Sequence, residues 1–279
     1  MCRFLVAEIP PEDEAGRYWP WLGAVPRAWR RTAARWAKPR LSPPLVSRDG
    51  GVSGHSLVLS PFWPPSLVAR AVDAWRGTLR PRAHGWLPPS PPPGTEIAWY
   101  TGRLIGLLSV LSFFTDRNGP FGPPNRLSLL LIGEDRGPFA VAARFLARRV
   151  RHLTLVAPGE HFRDRLAWQI LTESGLAVLT RAAPPETGWE VALDLRRHPP
   201  VILVGAERVL RPRPCSAQPL WTPAGLRPAP ENEHPVWAEC HLLCLLPPEA
   251  ALPPPEPTIR SLQEMLVHAE RVGFGFCLA

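Results

Sequence analysis

The stretch LSLLLIGEDRGPFAVAARFLARRVRHLTLVAP, residues 127–158, determines the fold that the sequence predicts. It opens with a nearly continuous apolar run, which is typical of a parallel strand that helices cover on both faces. Gly133 then provides a turn, and Pro138 suits the first position of a helix with a face of small alanines. A second apolar strand follows at residues 152–158. This order predicts an α/β fold, with a Rossmann-like parallel sheet flanked by helices.

Apolar segments on both sides of this stretch extend the prediction. A helix that ends at the C-cap glycine Gly175 and three short strands follow it. The segment RLIGLLSVLSFF, residues 103–114, precedes it, and we interpret this segment as a buried strand and loop. The expected helices are residues 27–38, 66–76, 138–150, 161–175 and 258–274, and the expected strands are residues 56–63, 126–134, 152–158, 176–181, 190–195 and 200–206.

Proline-rich segments divide the chain into three regions. The breaker PPSPPPG, residues 88–94, closes an N-terminal region that we assign as a substrate (acyl-type) domain, residues 1–94. The Rossmann-like domain of nucleotide-binding type is expected over residues 95–210. Residues 211–279 form a C-terminal segment whose final helix is expected to pack back on the N-terminal domain. The N-terminal region and this helix would then make a smaller second unit.

The charge of the chain is compatible with more than one class of partner. The 279 residues carry a net charge of +8, and among the 32 basic residues only Lys38 is a lysine. This preference for arginine, beside 38 prolines, is typical of GC-rich coding bias, and the arginines fall in short separate groups. We therefore expect solvated surfaces, and an arginine-rich nucleic-acid-binding protein is the alternative.

Cysteine usage and hydropathy bear on the compartment. The five cysteines are an odd number without the spacing of a disulfide framework, which favours a reducing environment. Cys240 and Cys244 make a single C-x3-C pair without a second pair, so we expect no metal site. The chain opens without the apolar run of a signal peptide, and no apolar run reaches the roughly 18 residues of a membrane span. These features predict a cytoplasmic protein.

The turn IGEDRGPF, residues 132–139, bears on cofactor binding. A dinucleotide-binding turn needs one glycine at the turn, a second where the backbone meets the pyrophosphate, and a third where helix and strand touch. Gly133 fills the first position, and Arg136 or Gly137 falls near the second. Phe139 stands at the third, and the following strand ends without an acid for a ribose hydroxyl or an adjacent arginine for a 2′-phosphate. We therefore expect a lost or altered NADP site, with a retained site as the alternative.

Seven segments stand in an order that resembles a known family. They are FLVAEIPPEDEAGRYWPWLGAVPRAW, PPLVSRDGGVSGHSLVLSPFWPPSLV, RLIGLLSVLSFFTDRNG, the stretch at residues 127–158, EVALDLRRHPPVILVGAERVLRP, HPVWAECHLLCLL and RSLQEMLVHAERVGFGFCLA. In this order they resemble the long-chain acyl–acyl-carrier-protein reductases, aldehyde-forming enzymes with a shikimate-dehydrogenase-like NADP domain, and their bacterial relatives. The resemblance runs nearly from end to end of the chain.

The resemblance implies a site and a chemistry. In that family an acyl thioester passes to an enzyme cysteine and is reduced by NADPH to an aldehyde. The matching cysteine here would be Cys240, although a one-residue slip would put Glu239 in its place, and the partner would be an acyl thioester or an acyl carrier. Leu242 and Leu243 replace the polar neighbours that the family has after this cysteine. The segment at residues 181–190 is also shortened where the family has a wall for the nicotinamide.

Three functions stay open at this point, of which the arginine-rich nucleic-acid-binding protein is the third. Our leading hypothesis is a non-catalytic binding or regulatory protein of this oxidoreductase family, with a degraded cofactor site. The alternative is an active NADPH-dependent acyl-thioester reductase that uses Cys240 as its nucleophile. The leucines around Cys244 predict that the whole segment is buried, which would raise the pKa of the Cys240 thiol. We therefore expect Cys240 to be a packing residue that reacts slowly.

Overall fold

The computed structural model describes residues 2–47, 50–87, 91, 97–115, 119–134, 136–196, 201–204, 208–216, 220–221 and 235–278. The chain divides into two compact units. The first unit comprises Met1–Gly102 and Ala217–Pro255, and the second comprises Arg103–Ser216 and Glu256–Ala279. Each unit contains a sheet with parallel strands and helices that pack against it, which confirms the predicted α/β class.

The elements alternate along the chain as an α/β fold requires. The strands are β1 Cys2–Glu8, β2 Arg40–Leu41, β3 Leu45–Ser47, β4 Val52–Val58, β5 Ala83–Trp86, β6 Trp99–Tyr100, β7 Ser128–Ile132, β8 His152–Val156, β9 Leu179–Arg181, β10 Val191–Asp194, β11 Val201–Val204, β12 Arg208–Leu210, β13 Pro212–Ser216, β14 Leu220–Trp221 and β15 Phe274–Leu278. The helices are α1 Ala15–Tyr18, α2 Pro20–Gly23, α3 Arg27–Ala33, α4 Pro65–Leu79, α5 Arg103–Leu111, α6 Arg136–Ala147, α7 Glu160–Ser174, α8 Pro235–Cys244 and α9 Ile259–Arg271. Short 3-10 turns lie at Ala34–Trp36, Ser112–Phe114 and Pro124–Arg126.

The first unit is built on a sheet with the order β14-β3-β4-β1-β5-β6, in which β2 also pairs with β4. The strands β4, β1, β5 and β6 are parallel. On one face, Val68 and Val72 of α4 join Leu5, Leu57 and Trp86 in a buried cluster. Helix α8 packs against β1 and β5. The parallel strands are therefore mostly buried, although β4 also carries the polar residues Ser53, His55 and Ser56.

The second unit contains the βαβ stretch at residues 127–158. Its sheet has the order β12-β11-β10-β7-β8-β9, and β10, β7, β8 and β9 are parallel. The strands β11 and β12 are antiparallel to their neighbours. In chain order the parallel strands lie 3-2-1-4, which is the order of a Rossmann half. The predicted parallel pairing of β7 with β8 is confirmed, with Leu129 beside Leu153.

The segment at residues 103–114 is helical, so its assignment as a strand and loop is wrong. Helix α5 covers Arg103–Leu111, and the residues from Leu104 to Leu111 are all buried. A helix that is buried on every side carries no amphipathic pattern. A short apolar run of this kind cannot be assigned to helix or strand from periodicity alone.

The C-terminal segment is shared between the two units, which differs from the predicted arrangement. Residues up to Pro255, with α8, belong to the first unit, whereas α9 belongs to the second. Helix α9 packs against α5 and α6 and buries Leu262, Met265 and Ala269. The sequence shows that α9 has an apolar face, but the pattern does not tell which element covers that face.

Gly175 provides a first prediction about stability. It ends α7 in the left-handed conformation, with φ = +73°, as the predicted C-cap requires. Gly175→Ala should lower the free energy of unfolding by about 1 kcal/mol, because a β-carbon is strained in this conformation. Gly77→Ala is the matched control, since Gly77 lies inside α4 with open space around it, and alanine there should raise stability by about 0.5–1 kcal/mol. Urea unfolding measures both changes in the free energy of unfolding. If the two changes had the same sign, Gly175 would not be a left-handed C-cap.

Candidate functional site

The turn between β7 and α6 lies at the carboxyl end of the second sheet. The Gly133 N–H donates to the carbonyl oxygen of Val156 at 3.0 Å, which holds the turn against β8. The order of the strands reverses between β7 and β10, and ligands of open α/β sheets bind at such a switch point. The structure therefore places Gly133 at the switch point, where nucleotide-binding proteins with this type of fold hold a cofactor phosphate.

Phe139 fills the space above this glycine. A β-carbon at Gly133 would lie 2.3 Å from Cδ2 of Phe139, so the aromatic ring lies directly on the glycine backbone. Phe139 is 1% exposed, and its ring centroid is 6.2 Å from that of Phe162. The position where the fingerprint calls for a third glycine thus carries a buried aromatic ring that occupies the turn.

The other two predicted cofactor residues lie in the first turn of α6. The helix begins at Arg136, and Gly137 is exposed. The side chain of Arg136 lies outside the described part of the structure. Both residues are therefore adjacent to the Gly133 turn along the chain, and the amino end of α6 presents backbone N–H groups there.

Two charged side chains at the carboxyl edge of this sheet bear on ligand binding. Asp194 ends β10 beside Ile132, is buried, and forms a bidentate ion pair with Arg196, with distances of 2.9 Å and 3.0 Å. Arg163, in α7, donates from Nη1 to the carbonyl oxygen of Ala157 at 2.6 Å. Arg163 is not evident from the sequence, because it lies one helical turn into α7 and not directly after β8.

Cys240 lies in the first unit, on α8, and is completely buried. A β-carbon at Gly85 of β5 would lie 2.9 Å from Sγ of Cys240, so the thiol packs on the backbone of the sheet. Burial raises the pKa of Cys240 well above its ordinary value, and the neighbouring Glu239 adds to this effect. Glu239 and His241 are buried as well. The predicted burial of this segment is confirmed.

A cavity of about 990 Å³ lies within the second unit. Its walls come from the 3-10 turn and loop that follow α5, the end of α6 with Arg149, α9 and β15, and they combine apolar and polar surface in similar amounts. The exposed Glu270 of α9 also borders it. The apolar lining consists of Phe113, Phe145, Leu266, Val267, Phe274 and Phe276. This volume lies at the upper end of the range for small-molecule sites.

Arg149 is the cation in this lining. Its guanidinium carbon lies 3.8 Å from the centroid of the Phe145 ring, and Nη1 donates to the Phe145 carbonyl oxygen at 3.0 Å. Burial lowers the pKa of Arg149, and the charge of Arg148 adds to this effect. Arg148 pairs with Glu173, whereas no ion pair within the described residues includes Arg149. The cavity therefore offers a partly buried positive charge beside apolar walls.

The cysteines are in two chemical states. Cys2, Cys240 and Cys244 are free thiols. Cys277, in β15, is disulfide-bonded. The prediction from cysteine spacing, which favoured an environment without disulfides, differs from the structure at this residue. Antiparallel pairing of β13 with β15 brings together chain segments that are far apart in sequence, and spacing along the chain does not show this.

A scan of protein-family models and a search of curated protein sequences gave no match for this chain. Within the described residues, no helix has both the length and the apolar character to cross a membrane. In the same part of the chain, histidine, cysteine and acidic side chains form no group of three that could hold a metal ion.

The contact of Phe139 with Gly133 is testable by a double-mutant cycle. Gly133→Ala should lower the free energy of unfolding by about 1–3 kcal/mol, because the new methyl group meets the ring. In a Phe139→Ala background the same change should cost much less, since the ring is gone. Chemical unfolding of the four chains gives the coupling energy. Additive effects would contradict the observed packing.

The burial of Cys240 predicts its reactivity. In the native chain Cys240 should react with iodoacetamide at neutral pH roughly a thousandfold more slowly than an exposed thiol, because labelling requires opening of the fold. It should also take up no acyl group from an acyl-thioester donor. Peptide mapping by mass spectrometry measures both. A trapped acyl-enzyme that disappears in Cys240→Ala would contradict this prediction.

Proposed function

We propose that the protein is a non-catalytic binding protein built on a scaffold like that of the acyl reductases, and that it binds an amphipathic anion with a long acyl chain. The observation that carries the proposal is the ring of Phe139 on Gly133. A dinucleotide needs close approach of its pyrophosphate to the backbone at this turn. The buried ring stands at the third position of the fingerprint, where α6 would have to approach this turn closely, so a cofactor site is degraded on this proposal.

The surroundings of Cys240 support the absence of catalysis. A nucleophilic cysteine needs access for its substrate and a lowered pKa. Cys240 has neither, because the thiol is buried on Gly85 and its pKa is raised. Glu239, the alternative position for the nucleophile, is buried in the same helix. Neither residue has the exposure that acyl transfer requires.

The cavity of the second unit supports the choice of ligand. Its phenylalanine and leucine side chains favour an apolar chain, which would gain free energy by leaving water. Arg149 has no carboxylate partner among the described residues, and a carboxylate or phosphate head group would supply one. An acyl chain with an anionic head group satisfies both requirements.

A titration with NADPH tests the catalytic part of the proposal. We expect no heat of binding by calorimetry at micromolar concentrations. Near-stoichiometric binding with micromolar affinity would overturn the degraded site and favour the active reductase. Arg163, which presents its guanidinium at the end of β8, is the observation that favours that alternative. In that case Arg163→Gln should weaken NADPH more than NADH.

A titration with hexadecanoate tests the ligand. We expect the wild-type chain to bind hexadecanoate and Arg149→Gln to bind it roughly tenfold or more weakly, because a hydrogen bond to a charged group contributes about 1.5–3 kcal/mol. Arg148→Gln is the matched control, since Arg148 is adjacent in sequence but does not line the cavity. Hexadecanol, which lacks the anionic head, should bind both arginine variants and the wild type equally. An equal loss of hexadecanoate affinity in Arg149→Gln and Arg148→Gln would contradict the proposed site.

A further inference from the structure

Two thiols meet at the amino end of the first sheet. Cys2 begins β1, and Cys244 ends α8, the helix that packs on that strand. The Cys244 thiol donates to the carbonyl oxygen of Arg3 at 3.5 Å, which places its sulfur beside Cys2, and the two side chains interact by hydrogen bonding. Cys244 is buried, whereas Cys2 is partly exposed. The fold therefore holds an accessible thiol directly beside a protected one.

Arg82 adds a positive charge to this pair. It precedes β5, and its backbone N–H donates to the carbonyl oxygen of Arg3 at 2.7 Å, next to Cys2. The guanidinium is held in place by the chain that follows α8. It donates to the carbonyl oxygens of Leu246, Pro247 and Ala250 at 2.5, 2.5 and 2.9 Å. Arg82 is thereby fixed where it interacts with Cys2 through its charge and a hydrogen bond.

The environment makes the two thiols unequal. The hydrogen bond from Cys244 lowers the pKa of Cys2 to about 6, and the charge of Arg82 adds to this effect. Burial alone would raise the pKa of Cys2. The hydrogen bond to Cys2 and burial raise the pKa of Cys244. At neutral pH the arrangement therefore favours a thiolate at Cys2 and a protonated thiol at Cys244. A partly exposed thiolate next to a second thiol is the arrangement of redox-sensitive cysteine pairs.

We infer that Cys2 and Cys244 form an oxidation site, at which a hydroperoxide oxidises Cys2 and Cys244 converts the product to a reversible disulfide. The inference is independent of the ligand proposed for the second unit, because all of its residues lie in the first unit.

The steps balance in atoms and electrons. The Cys2 thiolate attacks the terminal oxygen of the hydroperoxide, an S–O bond forms, the O–O bond breaks, and hydroxide or alkoxide leaves. Cys2 is then a sulfenic acid, oxidised by two electrons. The Cys244 sulfur attacks the Cys2 sulfur, the S–O bond breaks, and the hydroxyl leaves with the Cys244 proton as water. A thiol reductant reverses the disulfide by returning two electrons and two protons.

Alkylation of the full-length chain tests the first requirement. Cys2 should be the first thiol that iodoacetamide modifies, and its rate should be half-maximal near pH 6, because only the thiolate reacts and protonation below that pH removes it. Cys240 serves as an internal control that stays unmodified while the chain is folded. A Cys2 rate that rises only in the ordinary pH range of free thiols would overturn the inference.

Treatment with hydrogen peroxide tests the pairing. The mass of the chain should fall by that of two hydrogen atoms. Peptide mapping should find a disulfide between Cys2 and Cys244 that dithiothreitol reduces. Cys244→Ser should instead leave a sulfenic acid at Cys2 that dimedone traps, whereas Cys240→Ser, the matched control, should form the link as the wild type does. The disulfide at Cys277 is followed as a separate peptide. Oxidation of Cys2 without a link to Cys244 in the wild-type chain would contradict the pairing.

Discussion

The ring of Phe139 on Gly133 and the thiol of Cys240 on Gly85 are the same kind of contact, and the close approach of helix to sheet in each unit depends on it. In both contacts a side chain takes the space that a β-carbon would need. Protein interiors are close-packed, so a volume filled in this way is closed to a ligand. On the proposed function, the contacts that stabilise the two units therefore oppose the two activities that the resemblance implies. Phe139 takes the place of the glycine that lets helix and strand approach at a dinucleotide turn, and a thioester would have to reach a sulfur that faces the sheet.

The arginines show how the excess positive charge is distributed. Arg144 and Arg148 share Glu173, and Arg196 neutralises the buried Asp194. Such pairs contribute little net free energy at exposed positions, but they leave these guanidinium groups engaged within their own unit. Arg149 differs, because its contacts are a ring and a backbone carbonyl, neither of which carries a full negative charge. An anion that fills the adjacent cavity would complete its surroundings, which is why the ligand proposal depends on this residue.

The sequence predicts the fold where hydrophobic periodicity agrees with the turn and capping residues. It does not predict contacts between residues that are far apart in the chain. The apolar strands around Gly133 and the C-cap at Gly175 are local features, so the parallel sheet could be predicted from them. The burial of Cys240 followed from the surrounding leucines. Helix α5 was missed because a fully buried segment has no polar face. The cavity was missed because its lining comes from three separate stretches of the chain, within residues 112–120, 145–149 and 263–276. No sequence spacing reveals such a constellation.

Helix α8 shows why neighbouring cysteines differ in chemistry. Cys240 and Cys244 are one helical turn apart and therefore lie on the same face, towards the sheet. Cys240 lies against the backbone of β5, where a charged sulfur would be desolvated without compensation. Cys244 lies at the end of the helix, where the last carbonyl groups are negative and disfavour an adjacent thiolate. Arg82 donates to the carbonyls that follow this end and carries a positive charge close to Cys2. Cys240 is therefore inert because it lies against the middle of the sheet. Cys244 belongs to the proposed reactive pair because it lies at the end of the helix, beside Cys2.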